Sequence, residues 1–237
     1  MYSFDGRLRY SEAAMDGRMS LYSAINYMQD CSIFHSESLG LGVEWLKNRH
    51  RAWLLLSWQI EVLDRPVIGE PLKTATWPCR FRLFNGYRNF MIWNGNGDVA
   101  YQANSIWVYV DTQTGHPVKA EPEDIDPYVI EPEIGMPWDG RKIALPQELT
   151  AHEHIKVRQW MIDTNGHVNN SQYIHMASQF LPEEARIKKL RVEYRQAAVM
   201  GDVVVPESGI LDGSSVVKLG AEDGRVFAVV QAFEEQV

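Results

Sequence analysis

The chain has 237 residues, of which 45% are hydrophobic and 23% charged, and its formal net charge is -8. That balance supplies core material for one large domain or two of roughly 100 residues each, and the acidity argues against non-specific nucleic-acid binding. No apolar run approaches the roughly 18 residues of a membrane span, so no membrane partner is expected.

The opening stretch, "MYSFDGRLRYSE", reads as a strand and lacks the apolar core of an export or import leader, so a cytoplasmic protein is expected. A helix follows. Leu21, Ile25, Met28, Ser32, His35 and Leu39 fall near one of its faces, and Ser20 is placed to cap it. His35 on that face reads as a satisfied core histidine. Four long stretches rich in Trp, Val, Ile and Leu come next as strands: "AWLLLSWQIEVLD", "EPLKTATWPCRFRLF", "YRNFMIWN" and "VAYQANSIWVYVD". "NGNGD" between the last two is a hairpin turn, because Asn-Gly tolerates the positive φ such turns need.

The Pro- and acid-rich segment from about residue 120 to 150 has no periodicity and is expected to be a linker. Beyond it "HIKVRQW" alternates like a strand. "SQYIHMASQFL" then repeats its apolar residues like a helix, with Tyr173, Ile174, Met176, Ala177 and Phe180 on one face and Pro182 as its end. Further strands with an "EDGR" turn close the chain. Cys31 and Cys79 have no metal-binding spacing and are expected to be reduced, packed thiols. Nothing in the sequence asks for a metal or a cofactor.

The chain also repeats itself. "DGRMSLYSAINYM" resembles "NGHVNNSQYIHMA" with Gly17 set on Gly166, Arg18 on His167, Ser20 on Asn169 and Ile25 on Ile174. "QIEVLDRPVIGE" matches "RVEYRQAAVMGD" with Glu61 on Glu193 and Gly69 on Gly201, and later Gly97 falls on Gly224. Three matches in one order indicate a duplicated unit. Each unit reads as a strand, a long helix and several antiparallel strands, which is an α+β tandem (double) hotdog.

Between the second unit's first strand and its helix lies "MIDTNGHVNN", far more polar than a tight junction requires. A helix N-terminus carries partial positive charge and amide hydrogens suited to a carbonyl or an oxyanion. Asp163, Asn165 and His167 beside it can position and deprotonate a water, which thioester hydrolysis needs. Asx side chains also serve simple turns, and Asn169 and Asn170 fit capping, with substrate contact as the alternative.

"DTNGHVNNSQYI" resembles the D-x-N-x-H-V-N-N-x-x-Y motif of the plant and bacterial acyl-acyl-carrier-protein thioesterases, and the likeness extends over nearly the whole chain. It implies hydrolysis of acyl-acyl-carrier-protein to free fatty acid, with Asp163, Asn165 and His167 as the catalytic positions and acyl carrier protein as partner. It also implies a non-catalytic, acyl-chain-binding domain over 1–119, a linker over 120–150 and a catalytic domain over 151–237. The first unit has Asp16, Gly17 and Arg18 at the corresponding place and no histidine.

The chain departs from the family in having Ala197 and Ala198 where relatives carry a glutamate, often followed by a cysteine, and Gln179 where a helix glutamate is common. Glu193 and Asp202 are the remaining nearby acids in sequence. The basic run "ARIKKLRVEYR", with Arg186, Lys188, Lys189, Arg191 and Arg195, reads as a solvated strand face or as a docking patch for an acidic carrier. An acyl-CoA thioesterase and a catalytically weak acyl-binding protein stay open as alternatives, as does a homodimer.

Overall fold

The computed structural model describes residues 1–235. The chain divides into two compact units, residues 1–56 with 63–138, and residues 57–62 with 139–237.

The first unit begins with β1 (Tyr2–Arg7) and continues through helices α1 (Leu21–Ser38) and α2 (Val43–Asn48). The strands β2 (Arg51–Val62), β3 (Pro71–Arg82), β4 (Asn85–Trp93) and β5 (Val99–Asp111) follow, then a short helix, α3 (Pro122–Ile125). The antiparallel order is β1-β3-β4-β5, and β2 is next in the sheet order. The strands form where the sequence is rich in aromatic and β-branched residues that suit a pleated, half-buried surface. α1 packs on β1, β3 and β4. Its inward face is Leu21, Ile25, Met28, Ser32 and His35, all buried. Ser20 caps it, its hydroxyl accepting the Ser23 amide at 3.1 Å. Gly40, at φ 73°, ends it in the left-handed conformation that suits glycine.

The second unit takes residues 57–62 of β2, which pair antiparallel with β8 (Ile187–Tyr194), Trp58 opposite Val192. Its other elements are β6 (Thr150–Ala151), β7 (Ile155–Lys156), α4 (Asn170–Ser178), β9 (Val203–Leu211), β10 (Ser214–Gly220) and β11 (Val226–Glu234). The order from β8 is β8-β11-β10-β9-β6, with β7 on β9, and α4 packs on β10 and β11. Each unit is therefore a helix laid on an antiparallel sheet, the hotdog arrangement.

The second helix differs from expectation in length. α1 has 18 residues, whereas α4 has 9 and stops at Ser178, short of Phe180. Pro182 drives Leu181 out of the helical region and has no N–H to return to Ser178, so the helix closes early through Phe180 N to Ala177 O at 2.9 Å.

Apart from α3, residues 120–149 are irregular, and several of their polar groups are engaged. In the first unit the Trp77 indole donates to Pro132 O (2.9 Å), the Glu131 amide to Pro78 O (3.1 Å) and the Ile134 amide to Asn89 Oδ1 (3.2 Å). In the second, the Asp139 amide donates to Gln59 Oε1 (3.0 Å) and the Ile143 amide to buried Glu193 Oε2 (2.9 Å). Ile143 joins a core cluster with Val216 and Val229. Such pairing is what lets an aperiodic segment lie against a core.

His35 is a core histidine, as its helical spacing predicts. It is buried, stacked on Tyr2, with Nδ1 3.3 Å from the Arg88 guanidinium. Burial and the Arg88 charge push its pKa from 6.5 down to about 4. The unfolded chain then gains a proton that the folded chain refuses, so stability falls as pH drops from 6.5 to about 4. Urea midpoints followed across that window should fall more steeply for the wild type than for His35→Gln. Parallel curves would remove His35 from the acid response.

Candidate active site

The motif residues sit on a turn between a 3-10 segment, Gln159–Met161, and α4. Gly166 takes φ 79°, the left-handed conformation that closes the turn. Asp163 donates its amide to His167 O (2.8 Å) and accepts the Gly166 amide on its carbonyl (3.1 Å). Its Oδ1 accepts the Asn165 amide at 2.8 Å and, more loosely, the His167 amide at 3.4 Å. Asp163 is thus a turn residue as well as a carboxylate, and its second oxygen, Oδ2, is left for other work. Asn165 is exposed, and Asp163 and His167 are half-buried. Among the described residues the His167 imidazole and the Asn165 side chain make no hydrogen bond. The three candidates therefore share one turn through Asp163 Oδ1 and backbone amides, with no hydrogen bond between their side chains among the described residues.

Asn169 is the cap of α4. Its Oδ1 accepts from both the Ser171 amide (3.0 Å) and the Ser171 hydroxyl (2.9 Å), and its carbonyl takes the Gln172 amide. Two of the amides expected to face a substrate are thereby engaged, and the cap supplies the physical reason. Asn170 accepts the Tyr194 hydroxyl on its carbonyl at 3.0 Å.

A second segment clasps the turn from the β8–β9 loop. Val168 N donates to Ala198 O (2.9 Å) and His167 pairs with Val199. The buried Tyr173 hydroxyl accepts the Ala198 amide at 2.8 Å, and burial pushes its pKa up to about 12. Asp202 Oδ2 takes the Val199 amide at 2.9 Å, and its Oδ1 receives Arg225. The helical pattern marks Tyr173 only as an apolar-face residue. Its hydroxyl role was invisible because the partner lies 25 residues away. Ala197 is exposed at this clasp, and Gln179 is exposed just past α4. Glu193 is committed to the Ile143 amide and to Arg195, and Asp202 to Val199 and Arg225.

The first unit repeats the clasp with other side chains. Met19 N donates to Pro66 O (2.8 Å), Arg18 pairs with Val67, and Gly17 has φ 75°. Arg18 occupies the place of His167 and spends its guanidinium on Arg65 O at 2.7 Å. Asp16 is ion-paired with the buried Arg65. Burial would raise the Asp16 carboxyl, but the Arg18 amide and the Arg65 and Arg18 charges outweigh it and hold it below its ordinary value.

The basic run on β8 is largely paired within the chain. Arg186 meets Glu234, Lys188 meets Glu235, Lys189 and Arg191 meet Asp139, and Arg195 meets Glu193. No helix among the described residues is long and apolar enough to cross a membrane.

Residues 2–128 match the acyl-ACP thioesterase N-terminal domain family and residues 145–216 the acyl-ACP thioesterase C-terminal domain family. The chain is 25% identical over 206 residues to a chloroplastic acyl-[acyl-carrier-protein] hydrolase of Cuphea viscosissima, covering 80% of this chain and 50% of that one. It is 24% identical over 219 residues to a chloroplastic oleoyl-acyl carrier protein thioesterase of Arabidopsis thaliana, covering 83% and 60%. The chain thus spans about half the length of the curated relatives it matches. In structure it resembles an acyl-ACP thioesterase of Bacteroides thetaiotaomicron with a TM-score of 0.89 at 20% identity, over 98% of this chain and 97% of that chain. It also resembles the 12:0-ACP thioesterase of Umbellularia californica, with a TM-score of 0.82 at 18% identity over 99% and 96%. At these identities the likeness to solved structures speaks for the shared fold.

Tyr173→Phe should leave the Ala198 amide buried without an acceptor and destabilise the protein by about 1–3 kcal/mol. Urea denaturation measures this, and an unchanged midpoint would show that the clasp does not depend on that hydroxyl.

Proposed function

Because the chain belongs to the acyl-ACP thioesterase family, we propose that it hydrolyses the thioester of acyl-acyl-carrier-protein, releasing free fatty acid and terminating fatty-acid synthesis. One observation carries the reading: an aspartate-anchored turn presents an uncommitted imidazole, His167, at the start of a helix. In this reading residues 1–119 house the acyl chain, residues 120–150 connect, and residues 151–237 carry the chemistry. The buried free thiols Cys31 and Cys79 suit a reducing compartment, which for this chain is the cytoplasm.

His167 takes a proton from water as the water oxygen attacks the carbonyl carbon, since imidazole ordinarily exchanges protons near neutral pH. Asp163 fixes the turn through Oδ1, and Asn165 orients the water. With the Ser171 and Gln172 amides engaged by the cap, the positive end of α4 acts on the developing oxyanion through its dipole. The C–S bond then breaks, and the proton held by His167 passes to the leaving thiolate. The exposed Ala197 offers neither a base nor an orienting group here, which supports proton transfer by His167.

His167→Ala should lower kcat by at least roughly a hundredfold, the lower range for a positioned base. Asp163→Asn keeps an acceptor at Oδ1 and should fold normally, so its loss of kcat reports the carboxylate charge itself. Thiol release from palmitoyl-acyl-carrier-protein and palmitoyl-CoA, side by side, is the measurement. Wild-type turnover of the CoA thioester alone would reassign the carrier. Full turnover by His167→Ala would remove that residue from the mechanism.

A further inference from the structure

Close to the motif turn, the second unit exposes apolar side chains beside two cations that make no ion pair among the described residues. Ile155 and Lys156 of β7 pair with Val204 and Val203 of β9. Val157 is buried at 1% exposure, while Lys156 and Arg158 on either side of it are exposed. Arg158 immediately precedes the segment Gln159–Met161, whose Trp160 is 64% exposed. Val199 and Met200 are 42% and 57% exposed. Backbone bonds knit these residues to the site: Val157 N to Asp202 O at 2.9 Å, Val168 N to Ala198 O at 2.9 Å, and the His167–Val199 bridge.

The first unit supplies an internal comparison. Arg9 precedes its matching segment, Tyr10–Glu12, just as Arg158 precedes Gln159–Met161. There Glu12 meets the Arg9 guanidinium at 3.7 Å and accepts its amide at 2.8 Å. In the second unit the place of Glu12 is taken by the buried Met161, so the exposed Arg158 has no acid at that position. The basic run on β8 is met by acids of the chain itself. In a chain of net charge -8, an acidic protein is best admitted where uncompensated cations stand with exposed apolar side chains close to the motif turn.

We infer that Lys156, Arg158, Trp160 and Met200 form the docking surface for the acidic protein carrier that brings the acyl thioester to His167, an inference that rests on the thioesterase reading above. The cations steer the carrier, and the exposed Trp160 and Met200 give it apolar anchors of the kind that dominate protein interfaces. Coenzyme A would share the attraction of its phosphates to the cations but has no protein surface to set on Trp160 and Met200.

The test uses the full chain with Lys156→Glu/Arg158→Glu, Trp160→Ala and a charge-matched control, Lys73→Glu/Lys119→Glu. Each is assayed on palmitoyl-acyl-carrier-protein and on a palmitoyl N-acetylcysteamine thioester, which has no carrier. The docking pair should raise KM for the carrier substrate about tenfold more than for the small thioester, and more than the control does. That excess should shrink with added salt, since exposed charges are screened within about 10 Å at 0.1 M. Trp160→Ala should show the same selectivity without the salt dependence. Equal effects on both substrates, or an equal effect of the control, would overturn the assignment. So would a dimer in sizing that the docking pair dissolves, because the patch would then serve a second copy. If the wild type hydrolyses neither substrate, the thioesterase reading fails by itself. Fluorescence anisotropy of labelled palmitoyl-acyl-carrier-protein then decides docking: weaker binding to the docking pair supports it, and unaltered binding sinks it.

Discussion

The organisation of this chain depends on a backbone clasp, in which the turn before each helix is hydrogen-bonded to the loop that follows the next long strand. In the second unit Val168 reaches Ala198 and in the first Met19 reaches Pro66, while Asn169 and Ser20 reach back to Met161 and Glu12 of the preceding 3-10 segments. Because amides and carbonyls make the clasp, the side chains on it are free to differ. The same turn therefore carries Arg18, tied to Arg65 O, in one unit and the uncommitted His167 in the other. The first turn is closed by paired side chains, and the second leaves its imidazole without a hydrogen bond among the described residues.

Charge follows the same division. Arg65, Asp16 and Arg18 close the first turn with paired charges and carbonyl contacts, which is how a guanidinium exposed by only 6% is accommodated. In the second unit the buried carboxylate is Glu193, and its partners are Arg195 and the Ile143 amide. That bond anchors the aperiodic segment to the sheet and takes Glu193 out of the pool of acids available for chemistry. On the motif turn, Asp163 Oδ1 is used by the Asn165 and His167 amides, and the His167 imidazole makes no hydrogen bond among the described residues.

Much of this was legible in the sequence. Ser20 and Asn169, set against each other by the internal repeat, are both helix caps. Gly17 with Gly166, Gly69 with Gly201 and Gly97 with Gly224 are all at positive φ. Such features are local: a cap, a left-handed glycine and an apolar stripe are decided within a few residues by sterics and amide satisfaction, so they appear in the string of letters. The inward face of α1, including His35, was readable for the same reason.

What the sequence by itself determined, then, was the duplicated plan of helix on antiparallel sheet, the caps, and the polar turn at Asp163, Asn165 and His167. Only the tertiary structure decided which polar groups remain available. Tyr173 and Ala198 lie 25 residues apart, Ile143 and Glu193 50 residues apart, and Lys189 and Asp139 likewise 50 apart. Neither the buried amide that needs the Tyr173 hydroxyl nor the acid that meets Lys189 can be recognised until the sheet brings them together. Whether a charge is spent or open depends on such distant partners, because electrostatic and hydrogen-bond energies are set by separation in space and by burial, not by spacing along the chain.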